Sequence, residues 1–174
     1  MNLETFLIAI PALIAGWIAI YSLKNGIGPV PTNRLVKRRL FGFIPDKVSG
    51  DIFELGAGWG GVSLELARHY PAQKVIAVEN SLPVWLFCWL RARISGLNNL
   101  EIRFGDIYQT NLKNAGMVYC YLYPKAMIKL APQLQVLPAG CVLISNTFSA
   151  PGMEPESCMQ ATDLWKSQIY CYRF

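Results

Sequence analysis

The sequence predicts an α/β fold: a parallel sheet with helices on both faces, preceded by an N-terminal transmembrane helix. Three observations predict it. From about residue 50 onward, short strand-like runs alternate with helical patterns, which is how a parallel sheet built from crossover units reads. The first strand-like run breaks into glycines, IFELGAGWGG over Ile52–Gly61, and resumes as a helix. Ahead of both stands Phe6–Leu23, an apolar run without a charge.

Taken in order, Phe6–Leu23 would span about 27 Å as a helix, near the thickness of a hydrocarbon core. Pro11 and Gly16 are tolerated in such helices, and Trp17 and Tyr21 stand where an interfacial belt would lie. Met1–Thr5 holds no basic residue and no small-residue cleavage site follows, so a cleaved signal peptide is not the expected reading. Asn25–Thr32, NGIGPVPT, reads as a linker. A helix is expected over Asn33–Ile44, capped by Asn33, with Leu35, Val36, Leu40, Phe41 and Ile44 at helical spacing. Arg34, Lys37 and Arg38 share its other face, a solvated surface or a contact for anionic headgroups. Strands are expected at Asp51–Leu55, Lys74–Val78, Leu100–Phe104, Met117–Leu122 and Cys141–Asn146. Helices are expected at Gly61–His69, Pro83–Ser95 and Lys125–Gln135, and the tail Cys158–Phe174 should give two short strands, Gln168–Arg173 the clearer. The resulting organisation is a membrane helix over residues 1–24, a linker and basic amphipathic helix over 25–45, and one catalytic-size domain over 46–174.

The chain has 174 residues, of which 53% are hydrophobic and 16% charged, with a net charge of +5. Lys24, Arg34, Lys37, Arg38, Arg39 and Lys47 crowd one stretch where Asp46 is the only acid. Positive charge after the span places the following domain on the cytoplasmic side. The first residues lack the Arg/Ser-rich pattern of a transit peptide, which favours a bacterial inner membrane. Cys88, Cys120, Cys141, Cys158 and Cys171 show no C-x-x-C spacing and read as reduced core residues, so neither a zinc site nor a disulfide frame is expected. His69 closes the first domain helix before Pro71, where an imidazole meets the last carbonyls.

The glycine turn is the candidate site. Gly56 and Gly58 let the backbone turn sharply and approach a ligand, and the following helix start offers free N–H groups. Gly56, Gly58 and Gly61 satisfy the dinucleotide fingerprint, and Glu79 stands about 20 residues on, where a ribose-binding acid belongs. The same residues fit the E/D-x-G-x-G loop of S-adenosylmethionine enzymes. Three details favour that cofactor. Glu54 precedes the first glycine by two residues and suits a cationic, amine-bearing ligand. Gly105-Asp106 follows the third strand, where a carboxylate can meet an adenine amino group. The chain also has no room for a second nucleotide-binding half plus a substrate domain. The cofactor-binding candidates are therefore Glu54, Gly56, Ala57, Gly58, Gly60, Glu79, Asn80, Asp106 and Ile107. Tyr121 and Tyr123, at the end of the fourth strand, are the candidates for orienting an acceptor.

The sequence resembles the small seven-strand lysine methyltransferases that include the mitochondrial enzymes acting on ATP synthase subunit c and on the adenine nucleotide translocase, with archaeal and bacterial relatives. The likeness runs from about Gly28 to the C-terminus. It rests on GPVPT at Gly28–Thr32, FELGAGWG at Phe53–Gly60, VEN at Val78–Asn80, Arg91-Ala92 and PKAM at Pro124–Met127. It implies a Rossmann-like class I methyltransferase sheet, S-adenosylmethionine binding and methylation of a lysine amine. The chain departs from the family at Trp59, where an acid is usual, at Gly61, where an arginine is usual, and at Leu122, where many members have glycine. The expected partners are a protein with an accessible lysine, or an amine-bearing lipid or small molecule, together with a membrane, and no nucleic acid. A non-catalytic membrane module remains as a further reading, which would require Trp59 to fill the cofactor cleft.

Overall fold

The computed structural model describes residues 3–25, 28 and 30–174. In order these form α1 (Leu3–Asn25), α2 (Arg34–Phe41), β1 (Asp51–Leu55), α3 (Gly61–His69), β2 (Val75–Glu79), α4 (Leu82–Ser95) and β3 (Leu100–Phe104). A short 3-10 turn at Ile107–Gln109 leads to β4 (Ala115–Cys120), α5 (Pro124–Leu134), β5 (Val142–Asn146), β6 (Ser157–Gln160) and β7 (Gln168–Arg173). The seven strands form one sheet in the order β3-β2-β1-β4-β5-β7-β6. β1 to β5 run parallel, and β7 is antiparallel to both β5 and β6.

Residue type follows position in this sheet. β2, β4 and β5 are buried along their whole length, as parallel strands covered on both faces must be, and they read as continuous apolar runs. β3 lies at the edge, and its Glu101 pairs there with Lys74 at 2.6 Å and with Arg103. Charge on an edge strand discourages pairing with another chain. On one face Val36 and Leu40 of α2 and Val62 and Leu66 of α3 pack with Ile52, Met117 and Ile144. Cys88 and Ala92 of α4 extend that layer over Ala77 and Ile102. Met127, Leu130 and Leu134 of α5 cover the opposite face, against Phe53, Val118 and Leu143.

Several boundaries differ from the sequence expectation. α2 starts as expected, with Asn33 Oδ1 accepting the Val36 N–H at 2.9 Å. It stops at Phe41, because the Gly42 N–H turns back to the carbonyls of Arg39 and Leu40. β2 includes Glu79, and β4 ends at Cys120, so Tyr121 to Tyr123 form a loop and Tyr123 precedes α5. The five cysteines are free thiols, and four are buried, but Cys158 is exposed on edge strand β6 and is not a core residue. His69 packs its ring between Phe41 and Tyr70.

The N-terminal run forms one helix, α1, but the expected transmembrane helix finds no support. Among the described residues no helix is long and apolar enough to cross a membrane. The side chains of Phe6, Tyr21 and Leu23, at the ends of the expected span, lie outside the described residues. α1 packs against α4, and most of its described side chains are exposed.

Candidate active site

Strand order reverses between β1 and β4, and a crevice opens beyond their carboxyl ends, where ligands bind in open α/β sheets. A cavity of about 320 Å³ lies there. The loop leaving β1 builds its floor. Gly56, Gly58 and Gly60 adopt φ of 84°, 52° and 73°, in the left-handed region that disfavours side chains. Gly60 is required twice over, since a Cβ there would stand 2.5 Å from the Cys88 sulfur of α4.

Two buried carboxylates face this loop. Glu79, at the end of β2, accepts the Gly58 N–H at 2.8 Å through Oε2, and the Asn80 and Ser81 N–H groups at 3.0 and 2.9 Å through Oε1. It therefore ties the glycine loop to β2. Burial raises its pKa, opposed by these three backbone hydrogen bonds. Glu54, in β1, is 3% exposed and accepts a hydrogen bond from Ser63 of α3. Burial pushes its carboxyl up to about 8; the Ser63 hydrogen bonds oppose this and the Glu79 charge adds to it. A cationic ligand beside these two acids would favour their charged forms.

The structure brings most of the predicted residues together. Glu54, Gly56, Ala57, Gly58, Glu79, Asn80, Ile107, Tyr121 and Tyr123 line the cavity. Gly60 lies just beneath it and sets the loop against α4. Asp106 is the exception. Its carboxylate turns to its own backbone, accepting the Tyr108 N–H at 3.0 Å, and it does not line the cavity. Such Asx turns compete for carboxylates that would otherwise meet a ligand. Trp59 lines the cavity without filling it. Its ring packs edge-on against Phe87 of α4 at 5.3 Å, and its carbonyl accepts a hydrogen bond from Arg91.

Further lining residues escaped the sequence. The Tyr119 hydroxyl, buried in β4, accepts from Asn146 Nδ2 at 3.3 Å and shares a hydrogen bond with Thr32 Oγ1 at 3.3 Å. Burial raises the Tyr119 pKa. This bond draws the proline-rich lead-in over the site. Ser81 Oγ is buried, lines the cavity and has no hydrogen-bond partner. A buried hydroxyl left unpaired costs stability unless a ligand completes it. Tyr108 lines the cavity with Tyr121 and Tyr123.

The donor set fits S-adenosylmethionine. The side-chain-free loop admits a close approach, Glu79 and Ser81 offer polar atoms for a ribose, and Glu54 offers a carboxylate for an ammonium group. Among solved structures, an RNA methyltransferase from Salinibacter ruber in complex with S-adenosyl-L-homocysteine is similar, with a TM-score of 0.70 and 23% identity, over 83% of this chain and 93% of that one. A SAM-dependent methyltransferase from Aquifex aeolicus is similar with a TM-score of 0.64 and 13% identity, over 94% and 97% of the two chains. A coclaurine N-methyltransferase bound to N-methylheliamine and S-adenosylhomocysteine has a TM-score of 0.52 and 18% identity, over 67% of this chain and 37% of that one. At these identities the likeness is one of fold. A comparison with curated proteins finds no match. The family described as the ANTKMT methyltransferase domain matches residues 54–157, from the acid of the glycine loop to the start of β6. The chain belongs to this family and is an S-adenosylmethionine-dependent methyltransferase.

Proposed function

We propose that the chain methylates a lysine amine of a protein held at or near a membrane. The observation that carries this reading is the acceptor side of the cavity, walled by Tyr108, Tyr121 and Tyr123 beside the loop that meets the cofactor. The family match and the resemblance to lysine methyltransferases support an amine acceptor. The apolar α1 and the basic run after it support a setting at an anionic membrane surface.

Bound S-adenosylmethionine supplies a methyl group already activated by the sulfonium charge. The chain must align the acceptor with it, exclude water and deliver a neutral amine. A lysine of pKa about 10.4 costs roughly 4.6 kcal/mol to deprotonate at pH 7. Apolar surroundings lower that cost. Leu122, Ile107 and Ala126 supply such surroundings. Glu54 and Glu79 are the only carboxylates among the described lining residues, and both are engaged at the cofactor end. The hydroxyls of Tyr121 and Tyr123 are then the groups placed to hold the amine, with Tyr123 the nearer to the α5 start.

Transfer of a labelled methyl group into membrane fractions, separated into protein and lipid extracts, tests the proposal. Label in protein that survives alkali, as a methylated amine does and a methyl ester does not, and that disappears when the target lysine is replaced, supports it. Label confined to the lipid extract assigns an amine-bearing lipid instead. Cofactor binding without any transfer leaves a binding module.

A further inference from the structure

We propose that Lys37 and Thr32 bind the carboxylate at the methionine end of the cofactor, so that the segment leading into the sheet, and not the glycine loop, reads that group. The inference rests on the placement of the cofactor's ammonium at Glu54.

That ammonium and the carboxylate share one carbon, so the site for the second must adjoin Glu54. Glu54 of β1 stands beside Tyr119 of β4 in the sheet register, and both line the cavity. The hydrogen bonds leading out from Tyr119 run in one direction. Thr147 Oγ1 donates to Asn146 Oδ1 at 3.2 Å, which leaves Asn146 Nδ2 to donate to the Tyr119 hydroxyl. A phenol has one proton to give. Burial raises the Tyr119 pKa, so that proton stays on. Its acceptor is Thr32 Oγ1, at 3.3 Å. Thr32 therefore accepts from Tyr119, and its own proton is left without an acceptor among the described residues. Thr32 also lines the cavity. A hydroxyl held as an acceptor on one side is a ready donor to an anion on the other.

Charge completes the site. Four charged side chains line the cavity among the described residues, the acids Glu54 and Glu79 and the cations Lys37 and Arg91. Arg91 belongs to α4, beside Glu79 and Ser81 at the ribose end. It donates to the Trp59 carbonyl and lies over the Phe87 ring at 5.8 Å. Lys37 belongs to α2, which starts just after Thr32 and packs over β1 and β4 at the other end. Its ammonium pairs with Glu65 of α3, which does not line the cavity. An ammonium has three protons, so this pair fixes Lys37 and leaves donors for a second carboxylate. An ion pair this near the surface is worth little, and a ligand can share it at small cost. The methionine end would then lie between opposite charges, with its ammonium on Glu54 and its carboxylate on Lys37 and Thr32.

Calorimetric titration of the full chain with S-adenosylmethionine and with its decarboxylated form tests this. The second ligand keeps the sulfonium, the ribose and the ammonium. The parent should bind S-adenosylmethionine at least about tenfold more tightly. Lys37→Met and Thr32→Val should each weaken S-adenosylmethionine about tenfold and leave the decarboxylated form within about twofold. Thr32→Ser keeps the hydroxyl and should keep the parent's preference. Glu65→Gln breaks the same ion pair but keeps the ammonium, and should change neither affinity by more than about twofold. Equal losses for both ligands would give Lys37 and Thr32 a structural role only and overturn the inference. A parent that binds the two ligands alike, or variants that keep its full preference, would overturn it as well. Glu54→Gln should weaken both ligands, since both carry the ammonium. Unchanged binding of both would instead overturn the placement of the ammonium, on which the inference rests.

Discussion

Replacing Glu79 with Gln should unfasten the cofactor loop while leaving the side-chain volume unchanged. The native carboxylate takes three backbone N–H groups, one on Oε2 and two on Oε1. A Gln amide offers one oxygen and one NH2. With the oxygen kept on Asn80 and Ser81, the NH2 meets the Gly58 N–H donor to donor. Losing a hydrogen bond to a charged acceptor and leaving a donor unpaired costs about 2 kcal/mol. For a chain of this size that lowers the melting temperature by about 4–8 °C. If the same carboxylate oxygen takes the ribose hydroxyls, affinity for S-adenosylhomocysteine should fall about 30-fold at about 2 kcal/mol. Thermal melting followed by circular dichroism, and calorimetric titration with S-adenosylhomocysteine, read the two effects separately. A Gln variant that melts within 1 °C of the parent and binds within about twofold would refute the assignment of Glu79 as both loop fastener and ribose acceptor.

Glu54 predicts an unusual pH dependence. Its folded-state pKa, raised by burial to about 8, exceeds the ordinary 4.5. Between these values the folded chain holds a proton that the unfolded chain has released, so this group makes ligand-free stability fall as pH rises from about 5 to 8. Denaturant titrations across that range should show the slope, and Glu54→Gln should flatten it. Tyr123→Phe should lower methyl-transfer kcat at least about tenfold with cofactor affinity unchanged; equal losses in both would return Tyr123 to a packing role. Gly60→Ala should destabilise the fold by about 2–3 kcal/mol through its left-handed backbone and the Cys88 sulfur. Adding Cys88→Ala should recover part of that loss, which chemical denaturation of both variants would resolve.

The parts legible in the sequence are those in which chemistry and position lie close along the chain. The run Ile52–Gly61 shows a buried strand, a side-chain-free turn and a helix start in ten consecutive letters, and Glu79 announces the end of β2 by interrupting an apolar run. Tyr121 and Leu122 read as strand because they continue an apolar run, yet Leu122 is buried beside Gly56 and not within the sheet. Tyr119 and Thr32 were invisible as a pair because 87 positions separate them, and only the crossing of the lead-in over β4 joins them. Asp106 lies off the cavity lining for a local reason. A free N–H two residues on captured its carboxylate. Ser63 was within reach, since a serine in the first turn of α3 faces back toward Glu54 near the end of β1.

The cavity's assignment is tested most directly by a crystal structure of the full chain with S-adenosylhomocysteine. The account predicts density over the Gly56–Gly60 loop, with the ribose hydroxyls on the Glu79 carboxylate, the Ser81 hydroxyl newly paired and the sulfur directed at Tyr121 and Tyr123. Density bound elsewhere, or a ribose that bypasses Glu79 while the carboxylate keeps only its three backbone partners, would contradict it.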